Sequence, residues 1–292
     1  MTASNDSMTG KTCLVTGASS GIGLETARGL AERGARVLMA ARDAGRGEAA
    51  RCDVAKSTGN DSVELVLADL GSQRQVRALA EEVLERCDRL DVLVNNAGLT
   101  LGERVLTEDG IETTFAVNHL APFLLTNLLR DRLVESAPAR VVTVASDAHN
   151  GGQIDFEDLS GERSFSGWAA YCQSKLANIL FTRELARRLA GTGVTATCLH
   201  PGVVRTGFGR KGPAFIRTSL KVGRYLLLSP ERGADTAVWL AASPEVDGQS
   251  GGYYVKRRLT QPSRAARDPR AAERLWKVSE HLTGIRIESE VD

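Results

Sequence analysis

Short apolar runs alternate with longer amphipathic stretches along this chain, and their order predicts its architecture. Thr12–Thr16 is apolar and β-branched, which predicts a strand. Residues 21–32 carry small and apolar side chains at helical spacing. Further strands are predicted at 36–40, 62–67, Val92–Asn95, 141–145, 194–199 and Tyr253–Val255. Helices are predicted at 45–56 and 72–86. In the second of these Ser72 stands at the N-cap, with Val76, Leu79, Ala80, Val83 and Leu84 on one face. Residues 107–134 read as mostly helical, with Pro122 bending or dividing the segment. Two more helices follow at 168–190 and 230–242. A closing helix at 268–283 starts from Asp268 as N-cap, has Pro269 at its first position, and stops near Gly284.

Alternation of this kind implies parallel strands, right-handed crossovers and helices on both faces. The expected fold is therefore α/β, a single doubly wound domain with a seven-stranded parallel sheet flanked by helices. Residues 1–9 are expected as a flexible N-terminus, 10–260 as the body of the domain and 261–292 as a C-terminal extension. Two segments break the rhythm. Residues 147–167 form a long polar connection, and 207–228 are Gly-rich and basic before turning apolar. Long loops in compact domains are usually lids or binding loops, so both are expected to build a pocket, together with residues 99–104. Phe208, Phe215, Ile216, Tyr225 and Leu226 would line it, with Arg210 and Lys211 at its gate.

Composition narrows the possibilities. The chain has 292 residues and a net charge of +1, so electrostatics does not point to nucleic acid or an anionic membrane surface. The five cysteines are odd in number and form no Cys-x-x-Cys pair. Reduced thiols in a cytoplasmic enzyme fit better than a disulfide framework or zinc site. The four histidines are scattered, and no metal site is expected. The polar N-terminus and the lack of a long apolar stretch predict neither a signal peptide nor a membrane anchor.

The first predicted strand runs into Thr16-Gly17-Ala18-Ser19-Ser20-Gly21-Ile22-Gly23, which opens the first helix. Gly-x-x-x-Gly-x-Gly in that position is a variant of the dinucleotide turn of Rossmann folds. Gly17 permits the tight turn, Gly21 lets the backbone approach a pyrophosphate, and Gly23 lets helix and sheet pack closely. Ser19, Ser20 and Ile22 belong to the same phosphate cradle at a helix N-terminus. The second strand ends Ala40-Ala41-Arg42 with no acid before Arg42. A carboxylate there would favour a free ribose hydroxyl, whereas a guanidinium can clamp a 2′-phosphate, so NADP(H) is expected over NAD(H). The plain alternative is that Arg42 pairs with Asp43. Asp69-Leu70 follows the third strand and would meet the adenine, or else Asp69 would cap the next helix. Asn96, Ala97 and Gly98 end the fourth strand with small residues suited to a cofactor.

Tyr171 and Lys175 stand four residues apart, one helical turn, which places phenol and ammonium on one face. A nearby cation favours the phenolate. Ser146 ends an apolar run upstream. His149, His200 and Cys172 lie close to these residues in sequence and read as structural.

Together these motifs resemble the short-chain dehydrogenase/reductases over about residues 10 to 285. Ala41-Arg42-Asp43, Asn118-His119-Leu120, Ala145-Ser146-Asp147-Ala148-His149, the run from Tyr171 to Asn178, and His200-Pro201-Gly202-Val203-Val204-Arg205-Thr206 resemble its retinol-dehydrogenase-like branch more narrowly. The resemblance implies an NADP(H)-dependent oxidoreductase that interconverts an alcohol and a ketone or aldehyde on a lipophilic or aromatic small molecule. It implies a catalytic tetrad of Asn118, Ser146, Tyr171 and Lys175. Tyr171 would be the acid/base and Ser146 a hydrogen-bond donor to the substrate oxygen. Lys175 would depress the Tyr171 pKa and hold the nicotinamide ribose. Asn118 would hold a water at a local break in helical bonding. Pro201, Gly202, Val204 and Thr206 would flank the nicotinamide. A homo-oligomer is a family possibility. Ala145 departs from the family's Ser-Ser pair, and membrane-bound animal members carry an N-terminal anchor not expected here. The alternatives are a tailoring ketoreductase of secondary metabolism or a non-catalytic NADP(H)-binding regulator.

Overall fold

Alternating side chains on the strands bury both faces of one sheet. The structure is a computed structural model that describes residues 7–204 and 227–285. Its strands are β1 (Thr12–Thr16), β2 (Arg36–Ala41), β3 (Val63–Leu67), β4 (Val92–Asn95), β5 (Ala139–Val144), β6 (Val194–His200), β7 (Tyr253–Val255) and β8 (Arg258–Thr260). They lie in the order β3-β2-β1-β4-β5-β6-β7-β8, the first seven parallel and β8 antiparallel to β7. Leu14, Leu38, Leu93 and Val141 point to one core, while Cys13, Val37, Val92, Val94 and Val142 point to the other. Near-continuous apolar strands of this sort belong to parallel sheets covered on both sides.

The helices that cover the sheet are α1 (Gly21–Ala31), α2 (Ala44–Thr58), α3 (Gln73–Arg86), α4 (Thr113–Phe115), α5 (Ala121–Leu128), α6 (Arg130–Glu135), α7 (Gly167–Arg188), α8 (Pro230–Ala242) and α9 (Pro269–Thr283). Caps set their starts: Asp43 accepts from Arg46 N at 2.9 Å, Ser72 from Gln75 N at 3.3 Å, and Asp268 from Arg270 N at 2.9 Å. Gly284 ends α9 in the left-handed region, as the sequence predicts. The α9 helix packs on α7, where Phe181 and Trp276 stack at 5.9 Å and the Arg188 guanidinium lies 4.3 Å from the Trp276 ring. Among the described residues no helix is long and apolar enough to cross a membrane.

Two expectations need correction. The sheet has eight strands rather than seven. The extra edge strand returns through Lys256 and Arg257, whose φ values of 51° and 60° both lie in the left-handed region. That is the geometry of a two-residue hairpin, which usually takes Asn-Gly. Here Arg257 is held from outside, its Nε donating to Asp235 at 2.8 Å. The second correction concerns 107–134. The chain folds back through a bridge between Leu106 and Glu112 before helix begins. The buried Glu112 carboxylate then caps α4, accepting from Thr114 N and Phe115 N at 2.8 Å each. A π-turn at Ala116–Leu120 follows, and Pro122 sits in the first turn of α5. The run is continuous through Pro122 to Leu128, and the segment divides instead at Leu129, between α5 and α6.

Candidate functional site

The order of strands reverses between β1 and β4, and ligands of open α/β sheets bind at that switch point, beyond the carboxyl ends of the strands. The glycine turn lies there. Gly17 and Gly21 adopt φ of +66° and +59°. A Cβ on Gly23 would come 2.4 Å from the Gly17 carbonyl oxygen and 2.3 Å from Asn96 Nδ2. Thr16 fastens the turn to β4: its hydroxyl accepts from Asn96 N at 3.0 Å and Ala97 N at 3.1 Å. Ser20 stands at the N-cap of α1 with no side-chain bond to the helix, and no acid occupies the first turn. The first-turn N–H groups and the positive end of the helix dipole therefore face whatever anion approaches. Bare glycine backbone and an uncapped helix start fit a dinucleotide pyrophosphate. Ile22 and Val204 meet across Gly233, where a Cβ would fall 2.6 Å from Val204 Cγ2 and 3.3 Å from Ile22 Cγ1.

Arg42 and Asp69 face one another at the ends of β2 and β3, 3.7 Å apart and both well exposed. A pair so open to water holds little energy. They line a cleft of about 220 Å³ with Ser72, Leu99, Glu108 and Val117. Asp43 is occupied in capping α2 and is not the partner of Arg42. Asp69 does not cap α3 either, since Ser72 does; its Oδ1 accepts from Gly71 N at 2.9 Å. Leu70 is partly buried, with its side chain packed against the core. Asn96 is likewise drawn inward, its amide donating to the Thr16 carbonyl at 2.8 Å. Its role is to hold the glycine turn.

The remaining residues converge from the π-turn before α5, from α7 and from the end of β5. Lys175 is fully buried and donates to the Val144 carbonyl at 2.8 Å. Its Nζ lies 5.8 Å from the centre of the Tyr171 ring. Burial pulls the Lys175 pKa down from 10.5 to about 8. Burial also pushes the Tyr171 phenol up to about 12, against a hydrogen bond with Ser146 that lowers it. This reverses the expectation that Lys175 would lower the phenol. The ammonium is aimed at a β5 carbonyl instead, and desolvation wins. Ser146 caps the short 3₁₀ turn Asp147–Gly151, accepting from Ala148 N at 3.2 Å.

Asn118 occupies the π-turn. Its Oδ1 accepts from Leu99 N at 2.8 Å, and its Nδ2 donates to Leu99 O and Ser174 Oγ at 2.9 Å each. The side chain thus ties the loop after Gly98 to α7. A Cβ on Gly98 would lie 3.4 Å from both Asn118 Oδ1 and Lys175 Nζ, so that backbone runs directly over the cluster. Thr16, Leu99 and Ser174 carry this framework; Thr16 reads as part of the glycine motif and Leu99 as part of the pocket, and neither of them nor Ser174 is predicted in this role. Ser174 could have been found from its place beside Lys175.

Gly202 takes φ of +86° after Pro201, and Val204 bridges to Leu228. Thr206 and nearly all of the 207–228 segment fall outside the described residues. Residues 147–167 are pinned at several points: Asp155 N donates to Gln173, Arg104 Nε to the Ser160 carbonyl, and Arg274 lies 4.2 Å from the Phe156 ring. His149 accepts from Ser263 N at 3.2 Å, and His200 Nδ1 accepts from Asp147 N at 3.1 Å. Both serve the framework. Burial raises the Cys172 thiol to about 11, which leaves it protonated and inert.

A glycine cradle at the switch point of a parallel sheet, beside a buried Tyr–Lys pair, defines a dinucleotide-dependent oxidoreductase. A family model described as short chain dehydrogenase matches residues 11–214, and the chain belongs to that family. It is retinol-dehydrogenase-like. Human retinol dehydrogenase 13 is 45% identical over 286 residues, covering 96% of this chain and 86% of that protein. Bovine retinol dehydrogenase 12 is 47% identical over 280 residues, covering 96% and 88%. Among solved structures, an uncharacterized protein from Mycobacterium paratuberculosis superposes with a TM-score of 0.79 at 38% identity, covering 97% of each chain. The Pseudomonas aeruginosa RhlG/NADP active-site complex has a TM-score of 0.69 at 29% identity, covering 85% of this chain and 95% of that one.

Proposed function

We propose that this oxidoreductase uses NADP(H) to interconvert an alcohol and a ketone or aldehyde on a lipophilic or aromatic small molecule, with Tyr171 as the acid/base. The observation that carries the reading is the convergence of Tyr171, Ser146, Lys175 and Asn118 beside the glycine cradle. The relatives named retinol dehydrogenases support a lipophilic alcohol as the substrate class. Arg42, with no acid before it on β2, supports the phosphorylated cofactor, and the RhlG complex with NADP agrees. Gly17, Ser19, Ser20, Gly21 and Ile22 would hold the pyrophosphate, Arg42 the 2′-phosphate, Asp69 the adenine edge, and Gly98, Lys175, Pro201, Gly202 and Val204 the nicotinamide half. When bound, the nicotinamide supplies or accepts the hydride.

The protein's own work is with the proton. In reduction Tyr171 gives its phenolic proton to the carbonyl oxygen as negative charge builds there, and Ser146 donates a second hydrogen bond to the same oxygen. A phenol held near 12 is fully protonated at neutral pH, which suits the reductive direction. Lys175, poised near 8, returns a proton to Tyr171. The main-chain carbonyl of Asn118 would hold a water that feeds Lys175. A cytoplasmic location belongs to the same proposal.

The test is a panel of ketones, aldehydes and quinones assayed with NADPH and with NADH. Wild type is expected to favour NADPH by tenfold or more in kcat/KM. Tyr171→Phe is expected to abolish turnover while keeping the NADPH dissociation constant within about threefold. A preference for NADH, or a phenylalanine variant as active as wild type, would defeat the corresponding half of the proposal.

A further inference from the structure

The π-turn carries a second buried polar side chain beside Asn118. His119 is fully buried, with the rings of Phe115, Phe123 and Phe181 centred 5.1, 6.4 and 6.2 Å away. Burial takes its pKa from 6.5 down to about 3, against the neighbouring Asn178 amide, which favours the charged ring. The imidazole is therefore neutral and carries one proton. Its Nε2 lies 2.9 Å from Ser279 Oγ on α9. On the other side, His119 Nδ1 and Asn178 Oδ1 are both buried, and neither has a different partner among the described residues. Asn178 Oδ1 can only accept, so the proton sits on Nδ1. Nε2 then accepts from the Ser279 hydroxyl, which also reaches the Leu275 carbonyl at 2.8 Å. Asn178 turns its Nδ2 to the Val144 carbonyl at 3.4 Å, the oxygen that accepts from Lys175 Nζ at 2.8 Å. A polar line thus runs from α9 through the π-turn and α7 to the ammonium.

We infer that His119 is a positioning residue: by holding Asn178 Oδ1 it fixes which end of that amide faces Val144, and so keeps the Lys175 ammonium on the Val144 carbonyl. The inference rests on the reading of Lys175 as part of the proton path. The two ends of an amide are nearly alike in size, so packing alone does not decide how Asn178 sits. Turned over, Asn178 Oδ1 would face the Val144 carbonyl, two acceptors with no proton between them. Both would then compete for Lys175, and its protons would be drawn away from the Gly98 backbone and the Tyr171 ring. The imidazole prevents this by giving Oδ1 a donor of its own, and Ser279 on α9 holds the imidazole in turn.

The experiment sets activity against stability in the full chain, with NADPH and the best carbonyl substrate of the panel. His119→Asn puts an amide N–H close to where Nδ1 stands but leaves a cavity among the rings. His119→Phe fills the space and offers no donor. The asparagine variant is expected to lose about 5 °C or more in Tm yet keep kcat within about threefold. The phenylalanine variant is expected to be the more stable of the two, with kcat down about tenfold and the KM for NADPH within about threefold. A residue that only packs gives the opposite order, with activity following stability. Asn178→Leu should show the same fall in kcat, and adding His119→Phe to it should cost less than about twofold more. It stands in where the phenylalanine variant does not fold. A His119→Phe as fast as wild type, an unchanged kcat in Asn178→Leu, or losses that multiply in the double variant overturn the inference. If wild type reduces nothing in the panel, or Lys175→Met is as active as wild type, the reading of Lys175 fails and the inference goes with it. With Lys175→Met inactive, any of the first three outcomes removes the His119 claim alone.

Discussion

Replacing Lys175 by methionine should make the protein more stable and abolish its activity. The side chains are similar in size, so packing changes little. The difference lies in the charge. Lys175 is buried between α7, the end of β5 and the Gly98 backbone, and its pKa falls from 10.5 to about 8 because the ammonium is desolvated. A fall of that size corresponds to about 3 kcal/mol against folding at pH 7. On the other side, methionine loses the hydrogen bond to the Val144 carbonyl, about 1 kcal/mol net. Asn178 Nδ2, 3.4 Å from that same oxygen, leaves it with a donor. The balance is about 2 kcal/mol in favour of the variant at neutral pH.

The dependence on pH distinguishes this from a packing effect. Below pH 8 both folded and unfolded chains carry the proton, and the cost of the buried charge is present in full. Between pH 8 and 10.5 the folded protein has released it while the unfolded chain still binds it, so wild-type stability rises with pH through that window. The advantage of methionine should therefore shrink to under about 1 kcal/mol by pH 9.5. Urea titrations of both proteins at pH 7 and 9.5, without cofactor, give the two differences. A variant less stable than wild type at pH 7, or a gap that does not narrow, would refute the argument from burial.

Two further outcomes follow from the site. Gly23→Ala would place its Cβ 2.4 Å from the Gly17 carbonyl, too close for backbone to yield cheaply. The NADPH dissociation constant should rise at least about tenfold, measured by fluorescence titration, and an unchanged constant would mean that the cradle is looser than described. The Tyr171 phenol, held at about 12 by burial, should not ionise in the free enzyme in the range where an ordinary tyrosine does, near 10. The ultraviolet difference titration of wild type against Tyr171→Phe should show no tyrosinate signal below about pH 10.5, and a step near pH 8 or 9 would contradict the assignment.

Much of this was legible in the residues because local chemistry and global topology agree. Glycines at 17, 21 and 23 after an apolar strand admit few other uses, and the four-residue spacing of Tyr171 and Lys175 fixes their common face. The hairpin to β8 was not legible. Lys256 and Arg257 are poor residues for a left-handed turn, and the reason they adopt one, Asp235 on α8, is remote in sequence. The same holds for the fold-back before α4, where a buried Glu112 looks in the sequence like one more polar helix residue. The inward turn of Asn96 and Leu70 was hidden for a related reason: a motif marks a place near the ligand, and only packing decides which side chain faces it. The phenol's pKa reversed for another cause. Spacing reports the neighbouring cation but not the loss of water, and at this depth the second effect is larger.

The geometry around Asn118 shows why an asparagine and a proline belong together in this segment. The side-chain amide is spent on Leu99 and Ser174, which leaves the main-chain carbonyl as the polar atom available for other work. In an unbroken α-helix that carbonyl would accept from the N–H four residues on. That residue is Pro122, which has none to give. The neighbouring N–H of Ala121 reaches instead to Ala116, five residues back, and so widens the turn into a π-turn. Lys175 shows the complementary economy. An ammonium has three protons, and one goes to the Val144 carbonyl. Two remain on the side facing the Gly98 backbone and the Tyr171 ring. The fold thus frees one acceptor by removing a proline N–H and holds one cation by a single strand carbonyl, with the phenol beside it. Rigid side-chain bonds set the positions, and the atoms they leave over are the ones the proposed proton path would use.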